Sequence, residues 1–80
     1  MKSVKENLQN ETEKWLRRLK EEQIEAAGDG GDMFLENIKA YTKDADYFRK
    51  EGDLVRAFEA VVWAWSWLEI GEELGILDRS

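Results

Sequence analysis

The chain has 80 residues, 12 lysines and arginines against 18 aspartates and glutamates, a net charge of −6, and no cysteine, histidine or proline. Without cysteine there is no disulfide framework, thiolate metal site or thiol nucleophile, and without histidine there is no imidazole base or imidazole ligand. Carboxylates, a few hydroxyls and four tryptophans remain, which argues for a non-enzymatic protein with no cofactor and no metal.

The first predicted element is a helix over about residues 3–26. Ser3-Val4-Lys5-Glu6 has the form of a capping box, in which the serine hydroxyl and the glutamate satisfy free N–H groups of the first turn. At 100° per residue Val4, Leu8, Trp15, Leu16 and Leu19 share a third of the circumference, with Thr12 among them, so a single stripe is expected to be buried. Lys14, Arg17, Arg18 and Lys20 form a basic cluster, but Glu13, Glu21 and Glu22 interleave with them. They read as a solvated face rather than a phosphate-binding patch. The opening MKSVKENLQNETEK lacks an apolar segment, so no signal peptide is expected and a cytoplasmic protein is the default.

Gly28-Asp29-Gly30-Gly31 breaks the pattern. It lacks the Lys-Ser/Thr of a phosphate loop and is expected to follow a helix rather than a strand, so it reads as an interhelix loop. Asp32 is the expected N-cap of helix 2, over about 33–51, whose stripe is Phe34, Ile38, Tyr41, Ala45 and Phe48, with Tyr47 to one side. Gly52-Asp53 then supplies a helix stop and the next N-cap in two residues, and so short a connection makes helices 2 and 3 an antiparallel hairpin. Asp44, Asp46 and Asp53 do not have the spacing of an EF-hand calcium loop.

Helix 3, over about 54–74, differs in kind. Ile70, Trp63, Leu74, Trp67, Ala60, Ala64, Ala57, Leu68, Val61, Leu54, Trp65 and Phe58 cover an arc of roughly 240°, leaving Glu59, Ser66, Glu69 and Glu73 as the polar strip. An arc that wide predicts a central helix with more than one neighbour. Its uncharged run, Ala60 to Leu68, is far short of the roughly 20 residues that cross a bilayer, so no membrane partner is expected. Gly75 with Ile76 and Leu77 reads as a Schellman stop, after which the last three residues are expected to fray. Net charge grows more negative along the chain, 0 over residues 1–27, −2 over 28–52 and −4 over 53–80, which disfavours nucleic acid as a partner.

The predicted architecture is therefore all-α, a three-helix and mostly antiparallel bundle with a C-terminal helical hairpin. Trp63, Trp67, Ile70 and Leu74, with Tyr47 as an outlier, are the candidate interface, because tryptophan is enriched at binding hot spots and two narrow stripes cover helix 3 poorly. The competing reading places Trp63 and Trp67 in the core, sealing helix 1 against helix 3 with Trp15 as their counterpart, and Trp65 pointing away. The expected partner is a second copy of the chain; a peptide or helix of another protein bound beside helix 3 is the alternative. An enzyme built on carboxylates such as Asp44 and Glu59 is the remote one.

Two resemblances add to this. Tyr41, Ala45, Phe48, Gly52, Asp53, Ala57, Val61 and Ala64 resemble successive key positions of a tetratricopeptide repeat. Asp44 stands where that repeat has leucine, the closing proline is absent and there is one copy, so the likeness implies hairpin geometry. The runs Asp44-Ala45-Asp46-Tyr47-Phe48, Gly52-Asp53 and Val55-Arg56-Ala57-Phe58-Glu59-Ala60-Val61-Val62-Trp63-Ala64-Trp65 resemble the archaeal family called domain of unknown function 357. That resemblance covers the chain from helix 1 to Leu77 and implies a small helical protein of archaeal origin with no assigned catalytic residues. Ribonuclease members of the HEPN helical domains have a similar rhythm but use an Arg and a nearby His, which this chain lacks.

Overall fold

The structure, a computed structural model, describes residues 2–80. Helix α1 spans Val4–Glu21, and Ser3 caps it as its spacing predicts, the Ser3 hydroxyl accepting from the Glu6 N–H at 3.1 Å. Helices α2 (Gly31–Lys50) and α3 (Leu54–Glu73) form the hairpin. At its turn Gly52 has φ +80°. Its N–H donates to the Arg49 carbonyl at 3.1 Å and that of Asp53 to the Phe48 carbonyl at 2.9 Å, a complete Schellman motif. The same Asp53 then caps α3, its carboxylate accepting from the Arg56 N–H at 3.1 Å. Gly75, at φ +73°, closes α3 with the same bond pair, Gly75 N–H to Glu72 and Ile76 N–H to Gly71, each 3.0 Å.

Three expectations at the chain's other joints are corrected. The first helix stops at Glu21, five residues early, and Ile24–Ala26 forms strand β1, antiparallel to β2 at Leu77–Arg79. The residues expected to fray are therefore held. The Ser80 N–H donates to the Gln23 carbonyl at 3.0 Å, and the Arg79 guanidinium forks onto Glu72 at 2.8 and 2.9 Å and reaches Glu22 at 3.3 Å. Leu77, 1% exposed, anchors the strand in the core. The N-cap of α2 is Gly30 at φ +87°, without a side-chain cap, and Asp32 sits in the first turn instead. Gly31, the first residue of the helix, lies against the backbone of Ile76 and Ala26, a place that only a residue without Cβ fills.

The core consists of two clusters along α3. Leu16 joins Ala45, Ala60 and Val61; Leu19 joins Ile38, Ala64, Leu68 and Leu77. Moving from Leu16 to Leu19 thus ascends α3 and descends α2, so α1 runs parallel to α3 and antiparallel to α2. The alanines at 57, 60 and 64, all buried, let the helices approach α3 closely. The long axis measures 45 Å, against about 30 Å for a 20-residue helix. The first two turns of α1 overhang the hairpin, with Val4 exposed and Leu8 half-covered. Thr12 begins the packed part, buried with its hydroxyl donating to the Leu8 carbonyl at 2.7 Å.

The seam between α1 and α2 is held by charge. Lys20 meets Asp46 at 2.6 Å, and Arg49 lies 3.6 Å from the other carboxylate oxygen. Partial burial pushes the Asp46 carboxyl up, but the hydrogen bond and charge of Lys20, with Arg49 and Lys50, hold it below the usual aspartate range. A depressed folded value stabilises the fold above the unfolded value, and that contribution disappears as pH falls through the folded one. Asp46→Asn is accordingly expected to lower stability near neutral pH by up to about 1 kcal/mol, given the exposure of the pair. Urea titrations of both proteins should converge below the aspartate range; a gap independent of pH would refute the electrostatic account.

Candidate interaction surface

The apolar arc of α3 divides into strips facing α2, α1 and solvent. Towards α2, the Trp63 ring stacks on Tyr41 with centroids 6.2 Å apart and planes 19° apart. It nevertheless remains 55% exposed. Trp67 lies a further 40° round the helix, turned inward, and meets Phe34 edge-on at 4.6 Å while packing on the Leu19–Leu68 cluster. Trp67 is thus half-buried core, and it leaves the exposed interface predicted for it. The counterpart of Trp15 is Trp65, not Trp63 or Trp67. Their rings cross at 87° with centroids 5.7 Å apart, and the Trp65 Nε1–H donates to the Trp15 carbonyl at 3.1 Å. Trp65, expected to point away, instead joins Leu16 and Leu19 in tying α3 to α1.

Trp15 is held from the other side by its own helix. Its Nε1–H donates to Glu11 at 3.0 Å, and the Arg18 guanidinium lies 4.8 Å from the ring centroid. Hydrogen bonds from Lys14 and Trp15 keep the Glu11 carboxyl below the usual glutamate range.

The solvent strip retains Ile70 at 49% and Leu74 at 64% exposure, and it adds Val55 and Val62, both exposed. Neither is among the residues of the predicted arc; their signal is an aliphatic pair at i and i+7 inside a strip otherwise made of Glu59, Ser66, Glu69 and Glu73. The Ser66 hydroxyl donates to the Val62 carbonyl at 2.8 Å. The structure therefore brings Trp63, Ile70 and Leu74 together on one side of α3. Tyr47 stays apart on α2, exposed, its ring packed edge-on against Phe48 at 5.5 Å.

Between Trp63 and the hairpin turn lies a shallow cavity of about 170 Å³, lined by Tyr41, Asp44, Phe48, Arg56, Glu59 and Trp63. It brings Asp44 and Glu59 to one place. A longer groove of about 340 Å³ runs on the α1 side of α3, lined by Trp15, Phe58, Val61, Val62 and Trp65 with Ser66 and Glu69. Among the described residues no cluster of three acidic side chains could hold a metal ion, and no helix is long and apolar enough to cross a membrane.

A crystal structure of protein AF1782 from Archaeoglobus fulgidus is 54% identical to this chain and superposes with a TM-score of 0.86, covering 98% of this chain and all of that one. A comparison with curated proteins finds none that matches. Residues 4–77, from the first residue of α1 to the first of β2, match the model of the family described as "Protein of unknown function (DUF357)". With nearly the whole length matched and an archaeal relative of the same fold, the chain belongs to the DUF357 family.

Proposed function

We propose that this protein is a non-enzymatic interaction module that self-associates as a dimer through the outer face of α3. The observation that carries the reading is the exposure of Trp63, Ile70 and Leu74 on the helix that also forms the centre of the core. A helix already anchored by α1 and α2 is a rigid platform, and large apolar groups held out on a rigid platform lose little entropy when a partner covers them. Self-association suits a domain whose length limits the core it can bury. The reading includes an archaeal, cytoplasmic setting, supported by the Archaeoglobus relative and by a sequence without cysteine for disulfides.

Sedimentation equilibrium tests it, since the monomer has a mass of 9.4 kDa. The expected result is twice that mass at tens of micromolar protein, with Trp63→Glu reverting to the monomer and weakening association at least about tenfold. Far-UV circular dichroism should stay helical. A monomeric wild type overturns the proposal. Should Trp63→Glu unfold the protein through its Tyr41 contact, Leu74→Glu makes the same test at a side chain with a more exposed position.

The groove between Trp15 and Val62 favours the second reading, an adaptor that docks a helix or peptide of another protein beside α3. Cross-linking that joins such a partner to Val62 but leaves dimer mass unaffected would distinguish it.

A further inference from the structure

The face opposite α3, where α1 and α2 run side by side, holds a feature of different character. Helices α1 and α2 both pack on α3 and share no buried cluster without it. Their outer seam is left as a groove of about 400 Å³, with Glu22 and Ile24 among its lining residues. Leu19, Ile24, Leu35 and Ile38 form its floor. On the α2 side the lining residues recur from Leu35 to Asp46, about three helical turns or roughly 16 Å.

The charges on the rim decide what the groove can take. Its two carboxylates are in ion pairs: Asp46 with Lys20 at 2.6 Å and with Arg49 at 3.6 Å, its buried Oδ1 accepting no hydrogen bond, and Glu22 with Arg79 at 3.3 Å. Lys39 and Lys43 are exposed, one turn apart on α2, and neither forms an ion pair with the described residues. A chain of net charge −6 therefore presents, at this groove, two unpaired cations and no carboxylate outside an ion pair. Apart from Glu22 and Ile24, the walls are helices whose backbone groups are already paired within them, so along the α1 and α2 walls the groove offers no main-chain partners to an extended segment. A helix needs none, because it satisfies its own.

We infer that the α1/α2 groove is a docking site for an acidic amphipathic helix of another protein. The helix lays an apolar row on Leu19, Ile24 and Leu35 and sets Asp or Glu side chains against Lys39 and Lys43, completing a four-helix arrangement. This does not rest on dimerisation through α3, which uses the opposite face.

The probe is a fluorescein-labelled synthetic helix of about 18 residues, five turns, with leucine at i, i+3 and i+7 and glutamate on both flanks. Its control has lysine in place of every glutamate. Fluorescence anisotropy with the wild type and with Leu74→Glu, which alters the outer face of α3 at its more exposed side chain, separates this proposal from the dimer reading. The acidic peptide is expected to bind, more weakly at about 300 mM than at about 50 mM salt. The Lys39→Glu/Lys43→Glu double variant should lose at least about tenfold in affinity and gain affinity for the lysine peptide. Equal binding of both peptides, undiminished binding by the double variant, or no binding of the acidic peptide overturns the proposal. So does a loss of dimer mass in the double variant without any peptide effect, which would make the occupant the Glu59–Glu73 strip of α3 from another copy.

Discussion

Replacing Gly31 with alanine should lower stability by about 2–3 kcal/mol, the upper range for overpacking a site that cannot relax. A Cβ at this position would overlap the Ile76 carbonyl oxygen and stand 3.1 Å from the Ala26 Cβ and 3.2 Å from its Cα. Two of the three obstacles are backbone. The oxygen is also the acceptor of the Ala27 N–H at 2.8 Å, so moving it breaks the bond that leads into the β1–β2 pair. For a domain of this size the loss corresponds to a fall of about 10–20 °C in melting temperature. Gly28→Ala is the control, because its Cβ would meet nothing closer than 3.5 Å. Thermal melts showing equal effects for the two would refute the close-approach argument.

The same clasp marks where the sequence was not legible. Residues Glu22 to Ala26 contain no proline, glycine or other helix-breaking signal, and local propensity extends the first helix through them. Their extended conformation comes from β2, more than 50 residues away, through register pairs such as Ile24 with Arg79. No local pattern carries that information. By contrast, the caps at Ser3 and Asp53 and the stops at Gly52 and Gly75 depend on neighbours within a few residues. Those could be read directly, and with the hairpin they yield the all-α three-helix fold. The width of the α3 arc was legible in the same way, but which tryptophan met which helix was not. Trp63, Trp65 and Trp67 differ by 200° per two residues, so assigning them requires the direction of each neighbour, which depends on how the helices are placed around α3.

The second large effect concerns the two sides of α3. Leu68, with no exposed surface, lies where Leu19, Ile38 and Leu77 converge. Leu68→Ala should therefore cost about 3 kcal/mol, the transfer term plus the cavity. Total stability for a chain of this length is about 4–12 kcal/mol, so the variant should retain a measurable urea transition at a much lower midpoint. Because the cavity opens within one chain, the loss should be the same at low and high protein concentration. Leu74→Ala, six residues on at the C-cap of the same helix and exposed, should cost under about 0.5 kcal/mol in the monomer. If the outer face self-associates, however, its cost should grow with protein concentration, because a dimer interface stabilises by mass action. Urea titrations of both variants at two concentrations a hundredfold apart separate core from interface. A Leu74→Ala effect that does not change with concentration would remove that residue from the interface, whereas a concentration-dependent Leu68→Ala effect would mean that the core of α3 is itself completed only on assembly.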